Sequence, residues 1–208
     1  MQGSHHHGQV GAEQLAALAV TLHEIGAVRL GRFTLHSGRI SPIYIDLRLL
    51  VSFPGALRQV AQAYAALLGG LRFDILAAYP YAALPIGTAL ALETGIPLIY
   101  PRKDAKGYGT GKQVEGIWQE GQTALVVEDL ITSGDSILQA IASLQDAGLQ
   151  VRDAVVLIDR EQGGRELLRQ QGYDVHAVMT LGKLLAILEQ ERRISGQERM
   201  DVLSALGN

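Results

Sequence analysis

The sequence has no cysteine among its 208 residues, which excludes disulfide bonds and thiolate metal sites. It also has no apolar run of the roughly 20 residues that a membrane-spanning helix needs, so we expect no membrane partner. No secretory signal is visible, and this absence favours a cytoplasmic location. Neither GxxxxGK(S/T) nor GxGxxG occurs, so neither a P-loop nor a dinucleotide-binding fold has support.

Positive charge is also in short supply. The chain carries 18 Lys and Arg against 21 Asp and Glu, a formal net charge of −3. Proteins that bind nucleic acid generally carry an excess of positive charge or a basic face. We therefore expect no nucleic-acid partner.

The length and the hydrophobic fraction of 48% suit one domain with a well-buried core. The chain starts with MQGSHHHG, which is typical of an expression-tag remnant. We expect residues 1–10 to be disordered and residues 11–208 to form a single domain.

Short apolar runs alternate with helical patterns along most of the chain. Helical spacing is seen in 57–68 and 137–144. The alternation predicts an α/β fold, with a mostly parallel twisted sheet flanked by helices on both faces. The predicted strands are FDILAAY (73–79), PLIY (97–100), TALVVE (123–128), AVVLID (154–159) and YDVHAVM (173–179).

The two ends of the chain have a different pattern. Residues 15–25 form a helical stripe, and FTLHSGRISPIYIDLRLL (33–50) reads as extended segments. Ser195 and Glu198 have the spacing of a capping box for a last helix. We expect a small hood subdomain, built from about 11–50 and the C-terminal region, to lie over the sheet.

The segment ALVVEDLITSGDS (124–136) combines features of a sugar-phosphate site. Glu128 and Asp129 end an apolar strand, where ligands bind in open parallel sheets. The turn Thr132–Ser136 then opens a helix, and its amides and hydroxyls suit a phosphate. Carboxylates suit ribose hydroxyls or a hydrated Mg²⁺ better than they suit a phosphate. The alternative is an acidic strand end followed by an ordinary helix cap.

Residues 101–121, PRKDAKGYGTGKQVEGIWQEG, have no helical or strand period and combine four cations with many glycines. Long irregular segments in compact domains are usually functional or disordered. A functional loop and an ordinary solvated loop are therefore both open at this point.

ALVVEDLITSGDS resembles the signature of type I phosphoribosyltransferases, which use 5-phosphoribosyl 1-pyrophosphate (PRPP). GRFTLHSGRISPIYIDLRLL, YPYAALPIGTAL, RKDAKGYGTGKQVEG and VVLIDREQGG are similar, in the same order, to orotate phosphoribosyltransferases. The resemblance covers about residues 26–190. It implies the type I phosphoribosyltransferase fold. It also implies transfer of the phosphoribosyl group from PRPP to N1 of orotate in pyrimidine biosynthesis.

The resemblance also assigns roles to residues of this chain. The catalytic group is Arg102, Lys103, Lys106 and Asp129. The residues implied for PRPP are Tyr81, Ala82, Arg102, Lys103, Lys106, Tyr108, Glu128, Asp129, Leu130, Ile131, Thr132, Ser133, Gly134, Asp135 and Ser136. Those implied for orotate are His36, Tyr44, Ile45, Thr132 and Arg160, with Arg160 meeting the carboxylate. The expected cofactor is Mg²⁺, held mainly through PRPP, with Asp129 as a candidate contact through water.

Three further expectations follow from the resemblance. The 102–113 loop is expected to reach the site of a neighbouring subunit, which implies a homodimer. His36 and Ala82 stand where some bacterial members carry lysine, so less positive charge is expected near the substrates. The form that the chain most resembles is the one fused in animals to orotidylate decarboxylase. Because 208 residues leave no room for that second domain, we expect a monofunctional enzyme.

Two alternatives stay open at this stage. A purine phosphoribosyltransferase would keep the fold and change the base, although FTLHSGRISP and DREQGG favour the orotate pattern. A regulator that binds RNA or DNA and uses PRPP as an effector should show a basic face. The excess of acidic residues disfavours it.

Overall fold

The computed structural model describes residues 10–34, 38, 40–102 and 113–207. Two strands form a small antiparallel sheet, β1 (Val28–Thr34) and β2 (Ile40–Ile45). The larger sheet contains β3 (Ile75–Ala78), β4 (Leu98–Pro101), β5 (Val114–Glu115), β6 (Thr123–Ile131), β7 (Gln150–Asp159) and β8 (Asp174–Thr180). Its order is β5-β4-β3-β6-β7-β8.

Helices occupy most of the segments between these strands. A 3₁₀ helix covers Leu47–Ser52. The α-helices are α1 (Ala12–Glu24), α2 (Pro54–Leu67), α3 (Ala83–Thr94), α4 (Asp135–Asp146), α5 (Gly164–Gln170), α6 (Leu181–Gln190) and α7 (Gly196–Leu206). None of the helices in the described ranges combines the length and the apolar character needed to cross a bilayer.

The larger sheet is parallel except at β5, which pairs antiparallel with β4. All five strands predicted from apolar runs are present, so the predicted α/β fold is confirmed. The strand β6 is longer than expected. It continues past Glu128 to Ile131, because Leu130 and Ile131 pair with Ile158 and Asp159 at the end of β7.

Alternate residues of the central strands point into two separate hydrophobic cores. Leu76 and Leu125 face one core, which α1, α2, α3 and α6 cover. Ile75 and Val126 face the other, which α4 and α5 cover. Such alternation is the two-residue period of a strand buried on both faces. The expected helices on both faces of the sheet are therefore present.

The interpretation of 33–50 as wholly extended is wrong at its C-terminal end. Residues 47–52 form the 3₁₀ helix, whose preceding Asp46 accepts a hydrogen bond from the backbone N–H of Arg48 at 3.2 Å. Such local hydrogen bonds compete with strand pairing. Leu47 and Leu50, three residues apart, are both buried, as the period of a 3₁₀ helix allows.

The chain ends form the elements that their patterns predict. The helix α1 includes most of the predicted stripe 15–25. The helix α7 begins with the expected capping box, in which the side chains of Ser195 and Glu198 each accept a hydrogen bond from the backbone N–H of the other residue. The α7 helix contacts β2, and α1 contacts β1. The assignment of a separate hood subdomain and of one domain over 11–208 stays a prediction.

Candidate active site

A cavity of about 360 Å³ lies where three segments of the chain meet. The segments are residues 45–48 at the end of β2 and just after it, residues 79–82 after β3, and residues 128–130 of β6, with Ser136 of α4 beside them. The cavity is therefore at the carboxyl edge of the parallel strands, the usual ligand position in such sheets. Its lining residues are Ile45, Asp46, Leu47, Arg48, Tyr79, Pro80, Tyr81, Ala82, Glu128, Asp129, Leu130 and Ser136.

Glu128 and Asp129 are brought together in this cavity, as the sequence predicts, although they lie within β6 and not at its end. Glu128 is buried, with only 4% of its surface exposed, and Asp129 is half-buried. The Oε1 atom of Glu128 accepts a hydrogen bond from the N–H of Asp129 at 3.1 Å. The Oδ1 atom of Asp129 accepts one from the N–H of Leu130 at 2.9 Å.

The two carboxyl groups hold a proton more tightly than isolated ones would. Burial raises the pKa of Glu128 to about 8, and the negative charge of Asp129 adds to the effect. Burial also raises the pKa of Asp129, while the positive charge of Arg48 opposes that rise. A pair that shares a proton can both donate and accept hydrogen bonds. Such a pair suits two neighbouring hydroxyl groups of a sugar.

Two tyrosines hold the backbone around this pair. The hydroxyl of Tyr64, buried on α2, donates to the backbone oxygen of Glu128 at 2.6 Å. The hydroxyl of Tyr79 donates to Oε1 of Gln139 at 2.8 Å, which ties the end of β3 to α4. The site is therefore fixed to two helices on opposite faces of the sheet.

The turn after β6 leads directly into α4. Gly134 precedes the helix with a φ of 92°, a left-handed conformation that favours glycine. Its side chain is a hydrogen, and no side chain caps this helix among the described residues. The first amides of α4 are therefore open to an anion, and the positive end of the helix dipole favours one. This turn has the geometry expected for a phosphate site.

The turn rests on the start of α5, a contact that sequence reasoning missed. The N–H of Gly164 donates to the backbone oxygen of Thr132 at 3.0 Å. A Cβ atom built on Gly164 would lie 2.5 Å from that oxygen and 2.8 Å from the carbonyl carbon of Ser133. Only glycine permits so close an approach of two backbones. In the sequence, the signal available for this contact was the pair Gly163 and Gly164 at the end of DREQGG.

Arg160 follows β7 and lies beside the same turn. Its N–H donates to the backbone oxygen of Ile131 at 3.0 Å. Its guanidinium is half-buried, burial lowers its pKa, and Nε has no hydrogen-bond partner in the described part of the chain. An unsatisfied donor of this kind is costly unless a ligand binds it. Glu161, the next residue, accepts a hydrogen bond from the N–H of Gly182 at 2.7 Å.

The other predicted residues are placed as follows. Tyr81 and Ala82 line the cavity, and the Pro80–Tyr81 peptide bond is cis. Ile45 lines it too, whereas the ring of Tyr44 packs against Phe33 with centroids 5.5 Å apart. The predicted residues that do not line this cavity are Ile131, Thr132, Ser133, Gly134, Asp135, Arg102, Tyr44 and Arg160.

Arg102 has a partner that the sequence did not suggest. Its Nη1 lies 2.9 Å from Oε1 of Glu115, and its N–H donates to the oxygen of Gln113 at 2.8 Å. The pairing of β4 with β5 brings these groups together. The remaining predicted residues, His36, Lys103, Lys106 and Tyr108, lie outside the described residues.

Five lining residues were not predicted, and two of them, Asp46 and Arg48, are charged. Nε of Arg48 lies 2.7 Å from Oδ1 of Asp46, and Nη2 lies 2.9 Å from Oδ2. Because 33–50 reads as extended, the Asp-x-Arg spacing gave no reason to expect both side chains at one cavity. The 3₁₀ helix brings them there.

The described residues form no cluster of three or more His, Cys, Asp or Glu side chains that could hold a metal ion. Mg²⁺, however, is commonly bound through one or two carboxylates together with substrate phosphates and water. Asp129, half-buried in the cavity, can supply one such oxygen. The donor set therefore fits Mg²⁺ only together with a phosphate-bearing ligand.

No protein-family model matches the chain. It is 42% identical to uridine 5′-monophosphate synthase of Bos taurus over 185 residues, which cover 88% of this chain and 38% of that protein. It is 36% identical to orotate phosphoribosyltransferase of Caenorhabditis elegans over 187 residues, covering 89% and 82%. The crystal structure of orotate phosphoribosyltransferase from Aeropyrum pernix is similar with a TM-score of 0.74 and 36% identity, covering 86% of this chain and 99% of that one.

Proposed function

Because the chain belongs to the orotate phosphoribosyltransferase family, we propose that it transfers the 5-phosphoribosyl group of PRPP to N1 of orotate. In this reaction the anomeric carbon loses its bond to pyrophosphate and gains one to N1, which gives up its proton. The products are orotidine 5′-monophosphate and pyrophosphate, for the synthesis of UMP. The cavity that joins the acidic pair to the start of α4 is the observation that carries the proposal.

The acidic pair binds the ribose. Glu128 and Asp129 line the cavity with a carboxyl and a carboxylate that together donate and accept hydrogen bonds. The two vicinal hydroxyls of the ribose offer the same combination. When the anomeric carbon gains positive charge in the transition state, negative charge on the pair stabilises it.

The turn after β6 binds the 5′-phosphate. Thr132 to Ser136 supply backbone amides at the start of α4, and Thr132, Ser133 and Ser136 add hydroxyl groups. The hydroxyl of Ser133 donates to Oδ2 of Asp135 at 2.7 Å, so it would exchange that carboxylate for the phosphate. Leu130 and Ile131 fix the position of the turn through their pairing with β7.

Orotate binds between Arg160 and the end of β2. The guanidinium of Arg160 can bind the orotate carboxylate through two parallel hydrogen bonds. Its unpartnered Nε supports this role. The backbone of Tyr44 and Ile45 would bind the pyrimidine edge, with His36 nearby, and Thr132 would contact the ring.

Pyrophosphate leaves with a large negative charge, and cations are needed to stabilise it. Arg102, Lys103 and Lys106, with Tyr108, are the proposed source, and the backbone of Tyr81 and Ala82 adds hydrogen bonds. Arg102 would exchange Glu115 for the phosphate, since the two are paired at 2.9 Å. When bound, Mg²⁺ would be held mainly by the phosphates of PRPP, with Asp129 as a candidate contact through water, and would neutralise charge on the leaving pyrophosphate.

The assembly and the location are proposals as well. A homodimer would let the 102–113 loop of one subunit serve the site of the other. Mixing Lys106→Ala with Asp129→Asn tests this arrangement, because a mixed dimer would contain one intact site. Absence of activity in confirmed mixed dimers would contradict it. A cytoplasmic location stays a prediction.

The activity is tested by following the loss of orotate absorbance in the presence of PRPP and Mg²⁺. We expect consumption of orotate and none of adenine, guanine or xanthine, and Asp129→Asn should lower the rate. Consumption of a purine alone would overturn the substrate, and tight, salt-dependent RNA binding without turnover would favour a regulator. A solved adenine phosphoribosyltransferase, 20% identical with a TM-score of 0.59, shares only the fold.

A further inference from the structure

The cavity that binds PRPP under the proposed function is lined by an uneven set of charges. Its charged lining residues within the described ranges are Asp46, Glu128 and Asp129, which are acidic, and Arg48, which is basic. PRPP carries phosphate groups at both ends, so an acidic wall alone would repel it. Arg48 is the one cation that the described wall offers to offset this repulsion.

Arg48 is held in a fixed orientation. Its Nε and Nη2 form two contacts with the carboxylate of Asp46, at 2.7 and 2.9 Å, and Nη2 also donates to the hydroxyl of Tyr44 at 3.2 Å. The N–H of Arg48 donates to Asp46 as well. Its Nη1 makes no hydrogen bond within the described part of the chain, and the side chain is 66% exposed. One edge of the guanidinium is therefore anchored, and the other is open.

Stability alone does not account for this arrangement. An ion pair with an exposed arginine contributes little to folding, because water competes for the guanidinium. An anchored guanidinium, however, loses little freedom when it binds an anion. Burial raises the pKa of Asp129, and the positive charge of Arg48 is near enough to oppose that rise. The charge of Arg48 therefore makes the electrostatic potential between Arg48 and the acidic pair more positive.

We propose that Arg48 is a further substrate-binding residue, whose Nη1 binds an oxygen of the pyrophosphate group of PRPP. The pyrophosphate end is indicated because the 5′-phosphate belongs at the turn Thr132–Ser136, whereas Arg48 shares its cavity with Tyr81 and Ala82. Asp46 is then a positioning residue, which holds the guanidinium by the edge that PRPP does not use. This inference rests on the proposed function and adds a residue to its site.

Arg48→Gln tests the inference, with Arg193→Gln as the matched control. Arg193 also forms one ion pair, with Glu24 at 2.7 Å, but it does not line the cavity. We expect Arg48→Gln to raise KM for PRPP and Kd for pyrophosphate with Mg²⁺ by about 10- to 100-fold, as for loss of one hydrogen bond to a charged group. KM for orotate should rise less than KM for PRPP, since Arg48 touches Tyr44 only at its hydroxyl, whereas orotate is assigned to the backbone of Tyr44 and Ile45. Arg193→Gln should change none of these values.

Two more variants separate binding from a structural role. Arg48→Lys should bind pyrophosphate more tightly than Arg48→Gln but less tightly than the parent. Lysine keeps the positive charge and lacks the planar guanidinium with its paired donors. Asp46→Asn should weaken PRPP binding less than Arg48→Gln does. Should Arg48→Gln lower the urea midpoint and leave PRPP and pyrophosphate affinities at the parent value, Arg48 has only a structural role and the inference is wrong.

The inference and the proposed function fail in different ways. If the parent consumes orotate and Arg48→Gln binds PRPP equally well, the inference alone falls. If the parent binds pyrophosphate through Arg48 but never consumes orotate, the proposed function falls and the pyrophosphate contact stands. Loss of pyrophosphate affinity in Arg193→Gln as well would show a general effect of charge and overturn the inference.

Discussion

Replacing Gly164 with alanine would press a methyl group against the turn that we assign to the 5′-phosphate. The new Cβ would lie 2.5 Å from the oxygen of Thr132, 2.8 Å from the carbonyl carbon of Ser133 and 2.9 Å from the nitrogen of Gly134. All three atoms belong to the backbone, so no side-chain rotation can relieve the contact. Either the turn or the start of α5 has to move.

The size of that movement follows from the distances. Opening the 2.5 Å contact to an ordinary separation of roughly 3.5 Å requires a shift of about 1 Å. Misplacing a binding group by that amount can cost about 100-fold in rate. Overpacking of this kind also costs about 1–3 kcal/mol in the free energy of unfolding. We therefore expect Gly164→Ala to fold and to bind PRPP poorly.

The assay compares KM for PRPP with KM for orotate and adds the Kd of ribose 5-phosphate, which carries the 5′-phosphate without pyrophosphate. Gly164→Ala should raise KM for PRPP and Kd for ribose 5-phosphate by about 10- to 100-fold, and it should raise KM for orotate less. Gly55→Ala is the matched control, since a Cβ there meets nothing within 4 Å. If Gly164→Ala binds ribose 5-phosphate as tightly as Gly55→Ala does, the role of the turn is refuted.

Three further predictions concern other parts of the site. Arg160→Ala should raise KM for orotate by about 10- to 100-fold with little change for PRPP, whereas Arg152→Ala, at the other end of β7, should change neither. Tyr64→Phe should lower the free energy of unfolding in urea by about 1–3 kcal/mol, because the oxygen of Glu128 loses its buried donor. The pKa of Glu128 is raised to about 8, so the native state holds this proton more tightly than the unfolded state does. The contribution of Glu128 to the free energy of unfolding is therefore fully present below about pH 4.5 and is lost as the pH rises through 8. Glu128→Gln should make urea unfolding less dependent on pH between 5 and 8.5, and an unchanged dependence would contradict the raised pKa.

The sheet could be predicted because its signals are local. Runs such as TALVVE and AVVLID are apolar over several consecutive residues, which is typical of strands that are buried on both faces. The acidic pair was found for the same reason, since Glu128 and Asp129 follow such a run directly. The end of β6 was missed, because it depends on how far the neighbouring β7 extends.

The contacts that were missed join segments that are distant in sequence, or they involve a segment whose structure differs from the predicted one. Gly164 and Thr132 are on different elements, and only the packing of α5 on the turn shows that a side chain would not fit. Arg48 reaches the cavity because Asp46 draws residues 47–52 into a 3₁₀ helix. Arg102 was expected to face an anion, but the pairing of β4 with β5 places Glu115 beside it.

The central claim is that an acidic pair holds the ribose while the start of the following helix holds its phosphate. A crystal structure of the chain with PRPP and Mg²⁺ measures this directly. We predict that the ribose hydroxyls lie within hydrogen-bond distance of the carboxyl groups of Glu128 and Asp129, with the 5′-phosphate on the amides of Thr132–Ser136. PRPP bound at another surface, with these groups facing only water, would contradict the claim.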